Sequence, residues 1–470
     1  MFFNMKVAGR IDEIQILNSL LESENSEFLA VYGRRRIGKT YLIRQVYEKH
    51  IIFDSSGLHE KNIDQQLENF WLDISRATKS NTLQPQTWLQ AFSLLKAYID
   101  TLKSKQKKVI FLDEISWFET PRSGFLAALD NFWNMYCSKR TDIVLVICGS
   151  AASWIINKVI NNRGGLHNRI TKQILLRPFD LKETKAFLEM NHVKLVLKDI
   201  IQLYMCVGGV PFYLKDIVPG KSVGQILDTL FFNKNATLKN EFENLYASLF
   251  KNSHLHELVV KALASKSKGL TRNEILEATK MSSGGGFTNI LNELTACGFV
   301  TQVFPINKKK EESLYRLVDE FTLFYFKFFG NSDYTGSNFT NKPSFKSWSG
   351  YAFENLCLKH VFQIKKTLGI QGIISRDYSW ISPDSTAQVD MVIDRDDNVI
   401  NLLEAKYYQT EYEMTQQYAE QLERRKHIFI NATKTKKNVF TTMISIHGVK
   451  ANAYYLSTVS NQITAVDLFV

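Results

Sequence analysis

The chain has 470 residues, 45% hydrophobic, 12% aromatic and 22% charged, with 8 Pro and 23 Gly. That composition excludes fibrous and low-complexity classes and predicts about three globular units at roughly 100 to 200 residues each. A net charge of +11 favours polyanion partners such as a nucleotide or nucleic acid. The excess is not a basic tail, because residues 340–470 hold 15 Lys and Arg against 13 Asp and Glu. The longest apolar runs, 109–112 and 143–147, are far shorter than the ~18 residues of a membrane span, so no membrane association is expected. The opening MFFNMKVAGR has no cleavage pattern, so no signal peptide and a cytoplasmic location are expected. Five cysteines at 137, 148, 206, 297 and 357 form no CxxC pair and are expected to be buried, reduced thiols.

In chain order, 28–32 (FLAVY) reads as a strand entering a Gly-rich loop, and 109–112 and 143–147 read as further strands buried on both faces. Helix-like stretches between them predict an α/β core with a parallel sheet over 1–178, closed by Pro178. From 181 to 249 helical periodicity surrounds a Gly-Gly-Val-Pro break at 208–211, suggesting a helical lid over 179–250. Helix patterns at 254–266, 271–279 and 286–297, the second opened by the Thr271/Glu274 capping box, precede a hairpin of 299–304 and 314–317 with an NKKKEES tip. Three helices and a hairpin outline a winged helix over 251–330. The polar stretch 331–347 reads as a linker. A last unit, 348–470, shows a helix over 351–367, strands near 373–380, 388–394 and 399–405, and a helix over 413–426.

Gly33-Arg34-Arg35-Arg36-Ile37-Gly38-Lys39-Thr40 satisfies GxxxxGK[ST] between a strand and a helix, the context a phosphate-binding P-loop requires. Its backbone N–H groups would close on ATP phosphates, with Lys39 at the β/γ-phosphates and the Thr40 hydroxyl on Mg²⁺; Tyr41 adjoins this binding set. At the end of a buried strand, Asp113 is expected to hold Mg²⁺ and Glu114 to orient or deprotonate the attacking water. The alternative is an acidic helix cap. Ser150 ends another buried strand and is a candidate to polarise the γ-phosphate or water, or a plain Gly-Ser turn. Arg169 is either an arginine finger or a solvated helix arginine.

In the last unit, period two puts Glu404 and Lys406 on one strand face, opposite Leu403 and Ala405. A three-residue loop at 396–398 would pair 395 with 399 and so Asp390 with Glu404. Facing carboxylates repel, so the pair asks for a metal ion. Such an ion could activate water for phosphodiester hydrolysis, with Lys406 orienting the nucleophile. The alternative is a hairpin whose acids pair with lysines on a solvated edge. The helix at 415–426, with Gln416, Gln417 and Gln421, could line a DNA groove or present a solvated face.

These motifs together resemble the STAND-type archaeal ATPases of the AAA+ superfamily: GRIDE at 9–13, YGRRRIGKT, FLDE, ICGS, RPF at 177–179 and GGVPFYL. The resemblance implies that Gly9 and Arg10 border the nucleotide pocket and that the Gly209-Val210-Pro211 segment senses nucleotide. Here the box reads Asp12 then Glu13, which leaves its acidic role unassigned. In this family type the winged helix commonly acts as a switch element, beside which DNA contact is the other reading. The Asp390, Glu404, Lys406 pattern resembles the D-(x)n-E-x-K core of the restriction-endonuclease-like fold, and Glu354 matches that fold's extra acidic ligand. The implied protein is an ATP-hydrolysing switch controlling a metal-dependent nuclease-like domain, with ATP and DNA as partners and a nucleotide-dependent homo-oligomer as an option. Its alternative is a regulatory or scaffold ATPase whose nuclease-like domain cuts nothing.

Overall fold

Strands β1 (Glu27–Tyr32), β2 (Ile51–Ser56), β3 (Lys108–Asp113), β4 (Ile143–Gly149) and β5 (Lys172–Leu175) form one sheet in the computed structural model of this chain, ordered β2–β3–β4–β1–β5. The structure describes every residue except 1–6, 81, 162–165, 167, 251, 305–312, 330–338 and 385. Every pair in this sheet is parallel, as strands covered on both faces and joined by helical crossovers must be. Leu29, Val31, Phe111, Val144 and Val146 pack one face against Leu17 of helix Ile11–Glu22 and Leu42, Ile43 and Tyr47 of helix Lys39–Tyr47. On the other face Phe28 meets Trp133 and Phe53 meets Phe70, with ring centroids 4.9 and 5.0 Å apart. The alternation of β1 between Phe28 and Leu29 is the period of two that sends successive side chains to opposite faces. Sequence reading did not single out β2, because IIFDSS turns polar after three residues and lies at the sheet edge.

This sheet belongs to a unit of residues 1–178; residues 179–470 form a second unit. The second unit opens with helices, among them Leu181–Met190, Leu197–Val207 and Glu241–Leu249. Helices Ser253–Ala264, Arg272–Thr279 and Gly285–Ala296 follow, with a three-stranded antiparallel sheet of β6 (Leu270–Thr271), β7 (Val300–Val303) and β8 (Leu314–Leu317) in the order β6–β8–β7. The NKKK tip lies outside the described residues.

Two boundaries need correction. The stretch expected as a linker up to 347 already contains the start of helix Pro343–Lys359, with Pro343 in the first turn, where its missing N–H costs nothing. The expected single helix 351–367 is two, Pro343–Lys359 and Val361–Thr367, parted at His360. The ring of His360 is held at the break. Its Nε2 accepts from the Leu181 N–H at 3.1 Å while Nδ1 lies 2.8 Å from the Leu356 carbonyl. Burial lowers its pKa to about 4, which keeps the imidazole neutral and able to accept.

The C-terminal sheet joins β9 (Ser375–Ile381), β10 (Gln388–Arg395), β11 (Val399–Lys406), β12 (Asn438–Ser445) and β13 (Asn461–Ile463) in the order β13–β12–β11–β10–β9. β9, β10 and β11 are antiparallel; β11, β12 and β13 are parallel. The crossover from β11 to β12 is helix Gln416–Thr433, longer and later than the expected 413–426, with the Thr415 side chain capping its first turn. Trp380, Val392, Ile400 and Leu402 pack with Phe429 of that helix, and helix Pro343–Lys359 packs on β11. All five cysteines are buried and outside any disulfide among the described residues. Among the described residues no helix is long and apolar enough to cross a membrane.

Candidate nucleotide and carboxylate sites

In an open parallel sheet, ligands bind beyond the carboxyl ends of the strands, where strand order reverses. Here β4 lies between β1 and β3, so the tips of three strands stand in a row. The P-loop follows β1, Ser150 follows β4, and Asp113 and Glu114 end β3. The loop's backbone demands its glycines. Gly33 has φ +145°, and a Cβ there would lie 2.2 Å from the Leu176 carbonyl oxygen; Gly38, at φ +89°, caps helix Lys39–Tyr47. That helix begins at Lys39, so the unpaired N–H groups of its first turn point at the loop.

Lys39 is buried and donates to the carbonyls of Gly33 and Arg34 at 2.9 and 2.8 Å, which holds its ammonium inside the loop. The Thr40 hydroxyl donates to Asp113 Oδ2 at 2.7 Å. Hard oxygen donors in contact are the set Mg²⁺ requires, so these two residues fit the expected ion. Asp113 Oδ1 accepts the Glu114 N–H at 2.9 Å, and Glu114 adopts the left-handed region at φ +45°. The turn aims Glu114 Oε2 at Ser150, whose N–H and hydroxyl donate to it at 3.2 and 2.9 Å. Ser150 thus positions the carboxylate. Cys148, just beneath, is fully buried, and burial raises its thiol well above the ordinary range, so it is an inert packing group.

Gly9 and Arg10 have φ of +63° and +58°. Arg10 is buried, and its Nη2 donates to the carbonyls of Arg177 at 2.6 Å and Ile37 at 3.5 Å, tying the P-loop to the segment after β5. Arg34 is buried, Arg35 exposed, and Arg36 has φ +73°; Tyr41 is exposed on the first helical turn. Pro211 belongs to the second unit, at the start of helix Pro211–Leu214.

Arg169 is a correction. Thr171, two residues on, pairs with Phe28 at the amino end of β1, its N–H donating to the Phe28 carbonyl at 2.9 Å. Arg169 is therefore exposed at the end of the sheet opposite the P-loop, roughly 15 Å of strand away, and is not part of this chain's own phosphate site. Gly57 was missed by the sequence reading. Its N–H donates to the Asp113 carbonyl, and a Cβ would come within 2.7 Å of the Glu114 carbonyl oxygen. Only the β2–β3 pairing reveals it.

In the C-terminal sheet Met391 faces Leu403 and Asp394 faces Ile400, the register that a three-residue loop at 396–398 dictates. One residue further, Asp390 opposes Glu404. β10 carries an extra residue relative to β9 between Val389 and Val392, a bulge at Asp390 that turns its side chain away from the regular pleat. Asp390 Oδ1 accepts from Gln388 Nε2 at 2.7 Å. Glu404 is buried and fully engaged: Oε1 accepts from Tyr418 at 2.6 Å and lies 3.0 Å from Lys406 Nζ, while Oε2 accepts from Arg425 at 2.6 Å.

Burial alone would raise the pKa of Glu404; Lys406, Arg425 and the Tyr418 hydrogen bond bring it below the ordinary value. Asp390 is raised by burial and by Glu404. Glu354, half-buried on helix Pro343–Lys359, is raised to about 8 by burial and then by Asp390, despite the opposing pull of Arg316. The charge that was expected to call for a metal ion meets side-chain cations here. The charge of Glu404 is offset by two cations, and among the described residues no group of three or more His, Cys, Asp or Glu side chains is arranged to hold an ion. Tyr418 and Arg425, seven apart on one face of helix Gln416–Thr433, were missed, while Gln416, Gln417 and Gln421, expected to line a groove or to present a solvated face, are exposed.

Residues 8–217 match the model of a family described as an ATPase domain predominantly from Archaea. The match supports ATP binding and hydrolysis by this stretch. The chain is similar to two proteins of Methanocaldococcus jannaschii. One is the uncharacterized protein MJECL04, 24% identical over 367 residues, covering 76% of this chain and 77% of that protein. The other is the uncharacterized ATP-binding protein MJ1659, 25% identical over 305 residues, 55% of this chain and 83% of that one. Among solved structures, the Walker-type ATPase paby2304 of Pyrococcus abyssi covers 69% of this chain and 97% of its own, with 15% identity and a TM-score of 0.48.

Proposed function

We propose that this chain is a cytoplasmic, STAND-type AAA+ switch whose ATPase domain controls a nuclease-like C-terminal domain acting on nucleic acid. The observation that carries the reading is the pairing of two separate constellations in one chain: Lys39, Thr40, Asp113, Glu114 and Ser150 at one sheet, and Glu354, Asp390, Glu404 and Lys406 at another. On ATP binding, Lys39 exchanges the Gly33 and Arg34 carbonyls for the β- and γ-phosphates. Thr40 and Asp113 would hold Mg²⁺, which when bound neutralises phosphate charge. Glu114, steadied by Ser150, takes the proton of the attacking water. The Gly209-Val210-Pro211 segment senses the nucleotide, and the winged helix formed by Ser253–Ala264, Arg272–Thr279, Gly285–Ala296 and β6–β8 carries the change toward the C-terminal domain. Nucleotide-dependent homo-oligomerisation accompanies the switch.

The engagement of Glu404 by Lys406, Arg425 and Tyr418 favours a second reading, in which the C-terminal domain binds nucleic acid in a nucleotide-regulated way and cuts nothing. The deciding assay is cleavage of linear, supercoiled and single-stranded DNA and of RNA in Mg²⁺ or Mn²⁺, with and without ATP, beside a Glu404→Ala/Lys406→Ala control. Cleavage lost in the control, with ATP changing its rate, supports the first reading. ATP turnover without cleavage in any condition supports the second.

A further inference from the structure

Within the second unit a cavity of about 510 Å³ is lined by Lys268 and Arg316 from the winged-helix segment and by Glu354, Asp390, Arg424 and Arg425 from the C-terminal domain. Arg425 is committed to Glu404, and Lys268 and Arg424 are exposed. Arg316, on β8, is different. Its residue is only 5% exposed, yet its Nε is buried with no hydrogen-bond partner among the described residues. Its guanidinium stacks over the Tyr351 ring, 5.5 Å from the centroid, and the Tyr351 hydroxyl in turn donates to the Ser267 carbonyl at 3.1 Å. A buried guanidinium offers five donors in one plane, and leaving a buried donor unmade is costly. Glu354 and Asp390 lie close enough for its charge to oppose the rise that burial imposes on them, yet the Nε donor stays unsatisfied.

Resting on the nucleic-acid reading above, we propose that Arg316 is a phosphate-binding residue of the C-terminal site, contributed by the winged helix, and that the cavity takes the phosphodiester backbone of a nucleic-acid strand. A guanidinium fork matches two phosphate oxygens, a geometry that an ammonium does not reproduce. Lys268 and Arg424 supply exposed charge at the same cavity, along the path of the strand. The volume lies in the range of built ligand sites, about 300–1,000 Å³. The site is therefore composite, built from β8 and from the C-terminal domain.

The test is anisotropy of fluorescein-labelled DNA, single-stranded and duplex, with the full-length protein in EDTA across a salt series. Arg316→Ala is expected to weaken binding about 10- to 100-fold, the scale of charge-assisted hydrogen bonds. The slope of log Kd against log salt should fall by about one. Arg316→Lys should keep the wild-type slope and lose several-fold in affinity, and Lys221→Ala, an exposed residue away from the cavity, should change binding less than about twofold as a net-charge control. Wild-type affinity and slope in a folded Arg316→Ala protein would overturn the assignment while leaving the nucleic-acid reading intact. If Arg316→Ala does not fold, undiminished affinity in Arg316→Lys overturns it equally. Absence of DNA binding by the wild-type chain would sink both the reading and the assignment.

Discussion

Substituting Gln for Glu114 removes one proton-accepting oxygen and little else. Both Ser150 bonds fall on Oε2, at 3.2 and 2.9 Å, and a Gln amide oxygen in that place still accepts them, so the turn after β3 keeps its shape. Thr40 and Asp113 keep their 2.7 Å contact, and Lys39 and the loop are untouched, so ATP affinity should stay within about twofold. What is lost is the base. General-base catalysis contributes about 10²- to 10⁴-fold, or roughly 2.7–5.5 kcal/mol at 1.36 kcal/mol per decade. Phosphate release at saturating ATP should fall by that factor, while titration with a fluorescent nucleotide shows near wild-type affinity. Ser150→Ala leaves the base in place but unsteadied, and should cost about tenfold, the worth of one charge-assisted hydrogen bond. A Glu114→Gln protein that turns over ATP within threefold of wild type would refute the assignment of Glu114 and, with it, the role given to Ser150.

Lys39→Ala should abolish nucleotide binding in the same titration, since it removes the ammonium that the Gly33 and Arg34 carbonyls hold in the loop; retained affinity would contradict the P-loop assignment. Gly209→Ala should destabilise the chain by more than about 3 kcal/mol in urea unfolding, because a Cβ would lie 1.8 Å from the Phe179 carbonyl oxygen, where backbone must move; a shift below 1 kcal/mol (about fivefold in the unfolding equilibrium) would show that the 208–211 break is slack. Glu354, raised to about 8 by burial and Asp390, holds a proton in the native state that the unfolded chain releases above its ordinary value of 4.5. Its contribution is therefore full at low pH and is lost as pH rises from about 4.5 to 8, by at most about 1.4 kcal/mol per pH unit. Urea midpoints at pH 5, 7 and 9 should fall more steeply in wild type than in Glu354→Gln, and parallel curves would remove Glu354 from that account.

The parallel core was legible in the sequence because its strands are uninterrupted apolar runs, which only a sheet covered on both faces can bury. The P-loop was legible because steric rules confine φ values such as those of Gly33 and Gly38 to glycine, and phosphate chemistry confines Lys39 and Thr40 to their places. Asp390 and Glu404 were paired by counting back from a three-residue loop, since the ladder has a strict period of two. Contacts distant along the chain were not legible. Strand order alone put Arg169 at the wrong end of the sheet and set Ser150 against Glu114. The bulge at Asp390 depends on a mismatch between β9 and β10 that no local pattern in the chain encodes. Tyr418 and Arg425 reach Glu404 only because helix Gln416–Thr433 crosses back over β11, which makes it an ion-paired carboxylate. Arg316 stands alone as a charge in the short strand Leu314–Leu317, and only the packing of β8 near helix Pro343–Lys359 makes it a buried cation. Residue type and local period determined which chemistry the chain can carry; topology decided which of those groups meet, because charges and hydrogen bonds act over ångströms in space and not along the chain.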